Sequence, residues 1–371
     1  MMNRNEFFDY VKENVKNYLP PIFDGAEFTI QEVTKQNDQH LTGLSIRRDG
    51  EQMVPTIYLD QYYKEYLDGA DPDKLVGDVA DTRIEYNVED IPKEFMEITD
   101  YETVKGKLQI VLCDPEMNQD RLKGKISKPF GEYTATYQVS VQRDGDSFGT
   151  VAVTEDLMKY WNVTPEQLHA DAVAAEDARI PSLFSINDLM MEMMMGGSKP
   201  QNLLQHPEEI GIGSVPLFCL TTEDKMFGAS LMIRDDILSK AAEALGGSFY
   251  VLPSSTHEVL LMPEAFADDP SMLVSMVREI NENEVSPNER LSDKVQFYDS
   301  EAHVLENAEK RHERLAQEKS ESKEGRSERQ NEKGGGKRSI HDRLNANKET
   351  VRANAEKMPH KENTRVAEAS L

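Results

Sequence analysis

The stretch that most constrains the fold runs from Pro216 to Pro263, PLFCLTTEDKMFGASLMIRDDILSKAAEALGGSFYVLPSSTHEVLLMP. Its hydrophobic period moves from strand-like to helical and back within one short run, which an α+β arrangement accommodates. Leu217 and Cys219, then Met226 through Ile233, read as two strands around the polar turn Thr222-Glu223-Asp224-Lys225. Arg234-Asp235-Asp236 starts a helix whose Ile237, Leu238, Ala241 and Leu245 share one face, and Gly246-Gly247 ends it. Phe249 to Leu252 and Val259 to Leu261 read as a second hairpin across Pro253 to His257.

Earlier segments follow the same scheme. Phe7, Phe8, Val11, Val15, Tyr18 and Leu19 form a helical stripe stopped by Pro20-Pro21. Strands are expected at Glu27 to Thr34, at Leu41 to Ile46 with a bulge at Gly43, and at Thr56 to Tyr58, joined by turns at Asn37-Asp38 and Asp49-Gly50. A helix carrying Tyr62, Tyr63 and Tyr66 follows, and Asp71-Pro72 opens another. Residues 1–87 thus read as an α-β-β-β-α-α unit.

A second region, residues 88–299, reads as a hairpin–helix repeat domain. It has a strand at Leu108 to Leu112 flanked by helical stretches near Tyr101 and Met117, then a hairpin of Tyr133 to Val141 with Phe148 to Val153. Thr154 caps a short helix, and Thr164-Pro165-Glu166-Gln167 has the form of a capping box. Met190 to Met195, MMEMMM, reads as a filler of core gaps, with an adaptable partner surface as the alternative. A helix from Pro263 to Asn283 and a strand within Leu291 to Tyr298 complete the folded part. The expectation is an α+β fold of antiparallel sheets built from repeated hairpin–helix units.

From residue 300 to 371 Lys, Glu, Arg, Ser, Asn and Gln dominate and aromatic residues vanish. Such a segment buries too little apolar surface to offset its ordering entropy, so it reads as a disordered or partly helical polar tail. Glu301 to Lys319 could extend as a solvated helix, and Ser339 with Asp342 could cap another through Ile340, Leu344 and Val351.

Charge narrows the function classes. The chain carries 42 Lys and Arg against 68 Asp and Glu, net −26, and residues 301–371 hold 16 against 14, leaving −28 on the first 300. A field of that sign repels nucleic acid and anionic lipid, so direct nucleic-acid binding by the folded part is not expected. It suits solubility, a basic protein partner, or mimicry of a polyanion such as DNA. No apolar run reaches the roughly 18 residues a membrane span needs, so no membrane role is expected. Glu6 and Asp9 are foreign to a signal peptide, and Cys113 and Cys219 sit in apolar contexts with no CxxC. Both facts point to buried thiols in a reducing cytoplasm.

Four stretches carry a resemblance: PTIYLDQYY at Pro55 to Tyr63, KYWNVTPEQL at Lys159 to Leu168, FGASLMIRDDILSKAAEALGGSFYVLPSSTHEVLLMP at Phe227 to Pro263, and LSDKVQFYD at Leu291 to Asp299. Over roughly residues 5–299 the chain resembles an uncharacterised domain family of anaerobic Gram-positive gut bacteria. It departs from that pattern at KPFGEYTAT, Lys128 to Thr136, where a basic-aromatic-acidic stretch is expected. The resemblance implies class and boundaries, with no activity, cofactor or site residues attached. The tail is similar, loosely, to tails of accessory proteins on mobile elements.

Ser254-Ser255-Thr256-His257-Glu258 holds a hydroxyl, an imidazole and a carboxylate within five residues. Ser254, Ser255, His257 and Glu258 are therefore the candidate site residues. A nucleophile–base pair must meet within about 3 Å, which neighbours on one turn rarely do, and Ser and Thr suit turns through their own hydrogen bonds. The group reads first as an exposed hairpin turn. The scattered His include no HExxH, and Gly211-Ile212-Gly213-Ser214 and Gly336-Lys337-Arg338-Ser339 lack the context of phosphate loops, so neither metal nor cofactor is expected. The reading is a cytoplasmic binding or accessory protein, linked through its tail to mobile elements. The alternatives are a hydrolase assembled from distant residues and an acidic DNA mimic.

Overall fold

A computed structural model describes residues 1–51, 54–86, 96–142, 148–195, 199–206, 216–267 and 270–315. Residues 143–147 between the two strands of the expected Tyr133–Val153 hairpin, both glycine loops and the tail beyond Leu315 lie outside the described residues.

The described residues form an α+β fold with three antiparallel sheets. The first sheet orders β1 (Glu27–Thr34), β2 (His40–Arg47) and β3 (Thr56–Tyr58). Helix α1 (Arg4–Asn14) begins with a capping box between Asn3 and Glu6. Its Phe7, Phe8 and Val11 join Leu44 and Ile46 of β2, Leu59 of α2 (Leu59–Leu67) and Val76 and Val79 of α3 (Pro72–Glu85) in one core. Gly43 makes no bulge, because Gln31 pairs with it in an unbroken register. It permits a close approach instead: a Cβ there would lie 2.3 Å from Thr56 Cγ2.

After α4 (Tyr101–Val104), the second sheet centres on β6 (Tyr133–Gln142). Strand β4 (Leu108–Cys113) pairs with one edge, while β5 (Ser127–Phe130) and β7 (Phe148–Ala152) share the other. The helix expected near Met117 is a set of turns, started where Asp114 Oδ1 accepts from Glu116 N at 2.9 Å. Two capped helices follow. In α5 (Glu155–Trp161) Thr154 accepts from Leu157 N, and in α6 (Pro165–Asp177) Thr164 accepts from Gln167 N.

The third sheet runs β13-β12-β10-β11-β9-β8, with β8 Pro181–Ser185, β9 Phe218–Thr222, β10 Phe249–Leu252, β11 Val259–Pro263, β12 Gln296–Asp299 and β13 Val304–Asn307. All four residues of β10 are buried because both sheet faces are covered. Phe249 and Val251 enter the main core, whereas Tyr250 and Leu252 meet Leu273 and Val277 of α9 (Pro270–Asn283) on the other side. A hairpin followed by a helix occurs at β6–β7 with α5 and at β10–β11 with α9, while the hairpin expected ahead of Asp235 is not formed.

Three further expectations change. Residues Met226 to Ile233 add no strand: Gly228–Ile233 is a 3₁₀ helix leading into α8 (Asp235–Leu245). Strand β9 already has β8 and β11 as neighbours, so the sheet has no place for another strand there. Met190 to Met195 end α7 (Ile186–Met195) with no buried residue, and Met193, Met194 and Met195 are 78–85% exposed, so the cluster fills no core gap. The folded chain also passes residue 300. Strand β13 pairs with β12, residues 308–315 are helical, and the Arg311 guanidinium lies 3.7 Å from the Phe297 ring centroid. Composition hides this because an edge strand needs few apolar residues when its partner supplies the core.

Candidate functional site

A cleft of about 470 Å³ opens between the second sheet, α6 and the start of α8. Helix α6 turns Leu168, Ala172 and Ala175 into the core. The adjacent stripe His169, Val173 and Asp177, spaced by four, lines the cleft. Opposite stand Ile233, Arg234, Asp235 and Asp236, where the 3₁₀ helix hands over to α8. Lys128, Pro129 and Phe130 of β5 form a third wall over a floor of Ile110 and Ala135. Those β5 residues belong to the stretch where the sequence departs from the pattern it otherwise resembles.

The polar groups of the cleft are mostly engaged with one another. Arg234 pairs with Asp236 at 2.9 Å and Asp177 at 3.4 Å, and donates to the Glu176 carbonyl at 3.1 Å. Hydrogen bonding from Arg234 holds the Asp236 carboxyl below its ordinary range. Asp235 accepts from the Tyr298 hydroxyl at 2.7 Å and lies 3.5 Å from His303. Beneath the cleft, the fully buried Glu176 accepts from Ile110 N at 3.1 Å, Ser230 Oγ at 2.8 Å and Arg179 Nη1 at 3.2 Å. That network satisfies a buried charge and fixes α6 against β4 and the 3₁₀ helix.

His169 Nδ1 and the Tyr137 hydroxyl are 2.9 Å apart. Burial lowers the affinity of His169 for a proton, with the nearby Lys128 ammonium adding to the effect. Burial also pushes Tyr137 up to about 12. Near neutral pH the ring is therefore neutral and the phenol protonated. A phenol donating to Nδ1 leaves the ring proton on Nε2. Lys128 is exposed, and its ammonium has no ion pair or hydrogen bond among the described residues.

The Ser254–Glu258 group lies elsewhere and is no exposed turn. Ser254, Ser255 and Thr256 are buried, and His257 and Glu258 are half-buried. The segment 286–292 covers them: Thr256 N donates to the Glu289 carbonyl at 2.8 Å, and Leu291 N to the Ser254 carbonyl at 3.2 Å. Ser255 Oγ accepts from His257 N, and His257 Nδ1 accepts from Phe227 N at 3.2 Å. The His257 carbonyl takes Gly228 N and Thr221 Oγ1. Among the described residues no Ser or Thr hydroxyl is hydrogen-bonded to the imidazole, and the group joins β11 to the 3₁₀ helix. Burial raises the proton affinity of the Glu258 carboxyl.

Both cysteines are buried and free, and burial pushes Cys113 up to about 11 and Cys219 up to about 12, far from a reactive thiolate. Among the described residues no group of His, Cys, Asp and Glu is arranged to hold a metal, and no helix is long and apolar enough to cross a membrane. Sequence reading missed Lys128, His169 and Arg234 as partners in one cleft. The spacing of His169, Val173 and Asp177 hinted at a shared helix face, but only the fold brings β5 and α8 to it.

Set against known proteins, residues 4–300 match the model of a family of unknown function (DUF5688), in line with the range the shared motifs suggest. No curated protein and no solved structure matches the chain.

Proposed function

The chain belongs to that family of unknown function, and from this premise we propose that it is a cytoplasmic binding protein and not an enzyme, holding a small ligand in the cleft between α6, β5 and α8. The observation that carries this reading is the cleft's composition. Ile110, Phe130, Ala135, Val173 and Ile233 offer apolar surface, while no Ser, Thr or Cys lines it beside His169. A volume near 470 Å³ falls in the range of small-molecule sites. A hydrolase of the Ser–His or Cys–His type would need a nucleophile at His169, and the group bonded there is the Tyr137 phenol, kept protonated by burial.

A fragment screen by ligand-observed NMR tests the proposal, run on the full chain and on Val173→Trp, which fills the cleft from a half-buried position. Fragments that bind the native chain, are displaced from Val173→Trp and are recovered unchanged support it. Chemical turnover of a bound ester or amide overturns it in favour of the hydrolase.

Helix α7 supports a second role in protein contact. Its exposed thioethers make an adaptable apolar face beside Asp188 and Glu192, suited to a basic partner segment. Capture of a basic partner by the native chain but not by Met193→Glu/Met194→Glu is the expected result; equal capture by both sinks this role.

A further inference from the structure

We propose that the cleft selects ligands with an anionic head on an apolar body, the head seated by Lys128 Nζ and His169 Nε2; this rests on the cleft being a binding site. The inference comes from which polar groups remain unengaged. Arg234 is shared between Asp177, Asp236 and the Glu176 carbonyl. Asp235 takes the Tyr298 hydroxyl and the His303 ring. Tyr137 occupies His169 Nδ1. What is left is the Lys128 ammonium and His169 Nε2, which carries the ring proton when the phenol donates to Nδ1; both residues line the cleft with Pro129, Phe130 and Val173. Two donors in one cleft, one of them charged, match a carboxylate, sulfonate or phosphate oxygen.

The acidity of the chain does not decide the matter. The −28 of the first 300 residues acts at long range and is screened within about 8 Å at physiological salt. Of the three carboxylates that line the cleft, Asp177 and Asp236 share the single positive charge of Arg234 at contact distance, and Asp235 accepts from the Tyr298 hydroxyl. Direct contacts with Lys128 and His169 therefore dominate the choice of head group, while the field slows association.

A proton accompanies binding. The ionisable groups around His169 are Tyr137 from β6, Lys128 from β5, Asp177 on its own helix, and Arg234, Asp235 and Asp236 at α8. With the cleft empty, burial and Lys128 keep the ring neutral. An anion against Nε2 favours the imidazolium, so affinity rises as pH falls through the raised value in the complex.

Calorimetry on the full chain with three probes of one chain length tests this: octane-1-sulfonate, octyltrimethylammonium and octan-1-ol. The sulfonate should bind about tenfold more tightly than either of the others, and Lys128→Met should bring the three within about threefold. The sulfonate stays ionised throughout, so its affinity should strengthen from about pH 8 to about pH 5.5, and His169→Gln should flatten that slope. If the three probes bind alike, and Val173→Trp abolishes all of them, the cleft stands and the anion preference is wrong. Sulfonate binding untouched by Val173→Trp, or no binding of any probe, overturns this ligand class. The fragment screen above judges the cleft separately.

Discussion

Asn37 and Asn118 bond to each other twice: Asn37 N donates to Asn118 Oδ1 at 2.8 Å, and Asn118 Nδ2 donates to Asn37 Oδ1 at 2.8 Å. Asn37 stands at φ 58 in the β1–β2 turn, a conformation Asn tolerates better than most residues. Its Nδ2 also reaches the carbonyls of Pro287 and Arg290, and the next residue, Asp38, accepts from Asp120 N and Arg121 N. One turn of the N-terminal sheet thus clips two loops far away in sequence.

Asn118 is fully buried, and its loss leaves Asn37 N without a partner and the Asp114 carbonyl with Met117 N alone. Asn118→Ala should lower the unfolding free energy by about 2–3 kcal/mol in urea denaturation. A cycle with Asn37→Gly should show coupling of at least about 0.5 kcal/mol. Simple additivity would mean the reciprocal pair contributes nothing of its own.

Gly228 has almost no room. A Cβ there would lie 2.6 Å from the His257 carbonyl oxygen and 2.8 Å from Thr221 Cα, both backbone atoms. Gly228→Ala should therefore cost about 1–3 kcal/mol, whereas an alanine at Gly106, with nothing within 4 Å, should be tolerated. Equal melting temperatures for the two variants would contradict the crowding.

Glu258 gives a pH signature. Burial raises its carboxyl above the ordinary 4.5, so the folded state binds this proton more tightly than the unfolded chain does. Its contribution is fully present below the ordinary carboxylate value and is lost as pH rises through the raised one. Glu258→Gln should raise the melting temperature near neutral pH, and the gain should fade at about pH 4. A gain of the same size at both pH values would assign the effect to something other than ionisation.

The end of the fold can be located by truncation. Ending the chain at Ser300 removes β13, the buried Ala308 and the Arg311–Phe297 contact, and exposes the edge of β12. That variant should melt lower by at least the roughly 2–4 °C that 1 kcal/mol shifts a domain of about 150–250 residues. Ending it after Leu315 should leave the melting temperature close to that of the full chain. A stable fragment ending at Ser300 would show β13 to be dispensable.

Local chemistry determined much of this protein from its sequence. The Phe7–Val11 stripe, the Asp71, Thr154 and Thr164 caps, the left-handed Gly246 and the β10–β11 hairpin all rest on side chains within a few residues of one another. Such signals survive in any tertiary context, which is why the α+β class was legible. What the tertiary structure decided concerns competition for places. Met226 to Ile233 is apolar enough for a strand, yet β9 already had both its neighbours, so the run became a 3₁₀ helix. Met190 to Met195 looked like core and came out facing solvent, because periodicity sets which residues share a face and not what that face meets. The candidate site belongs wholly to this second category. Lys128, His169 and Arg234 lie on three elements whose sequence separation carries no mutual signal, and only the packing of α6 between β5 and the start of α8 brings them around one cleft.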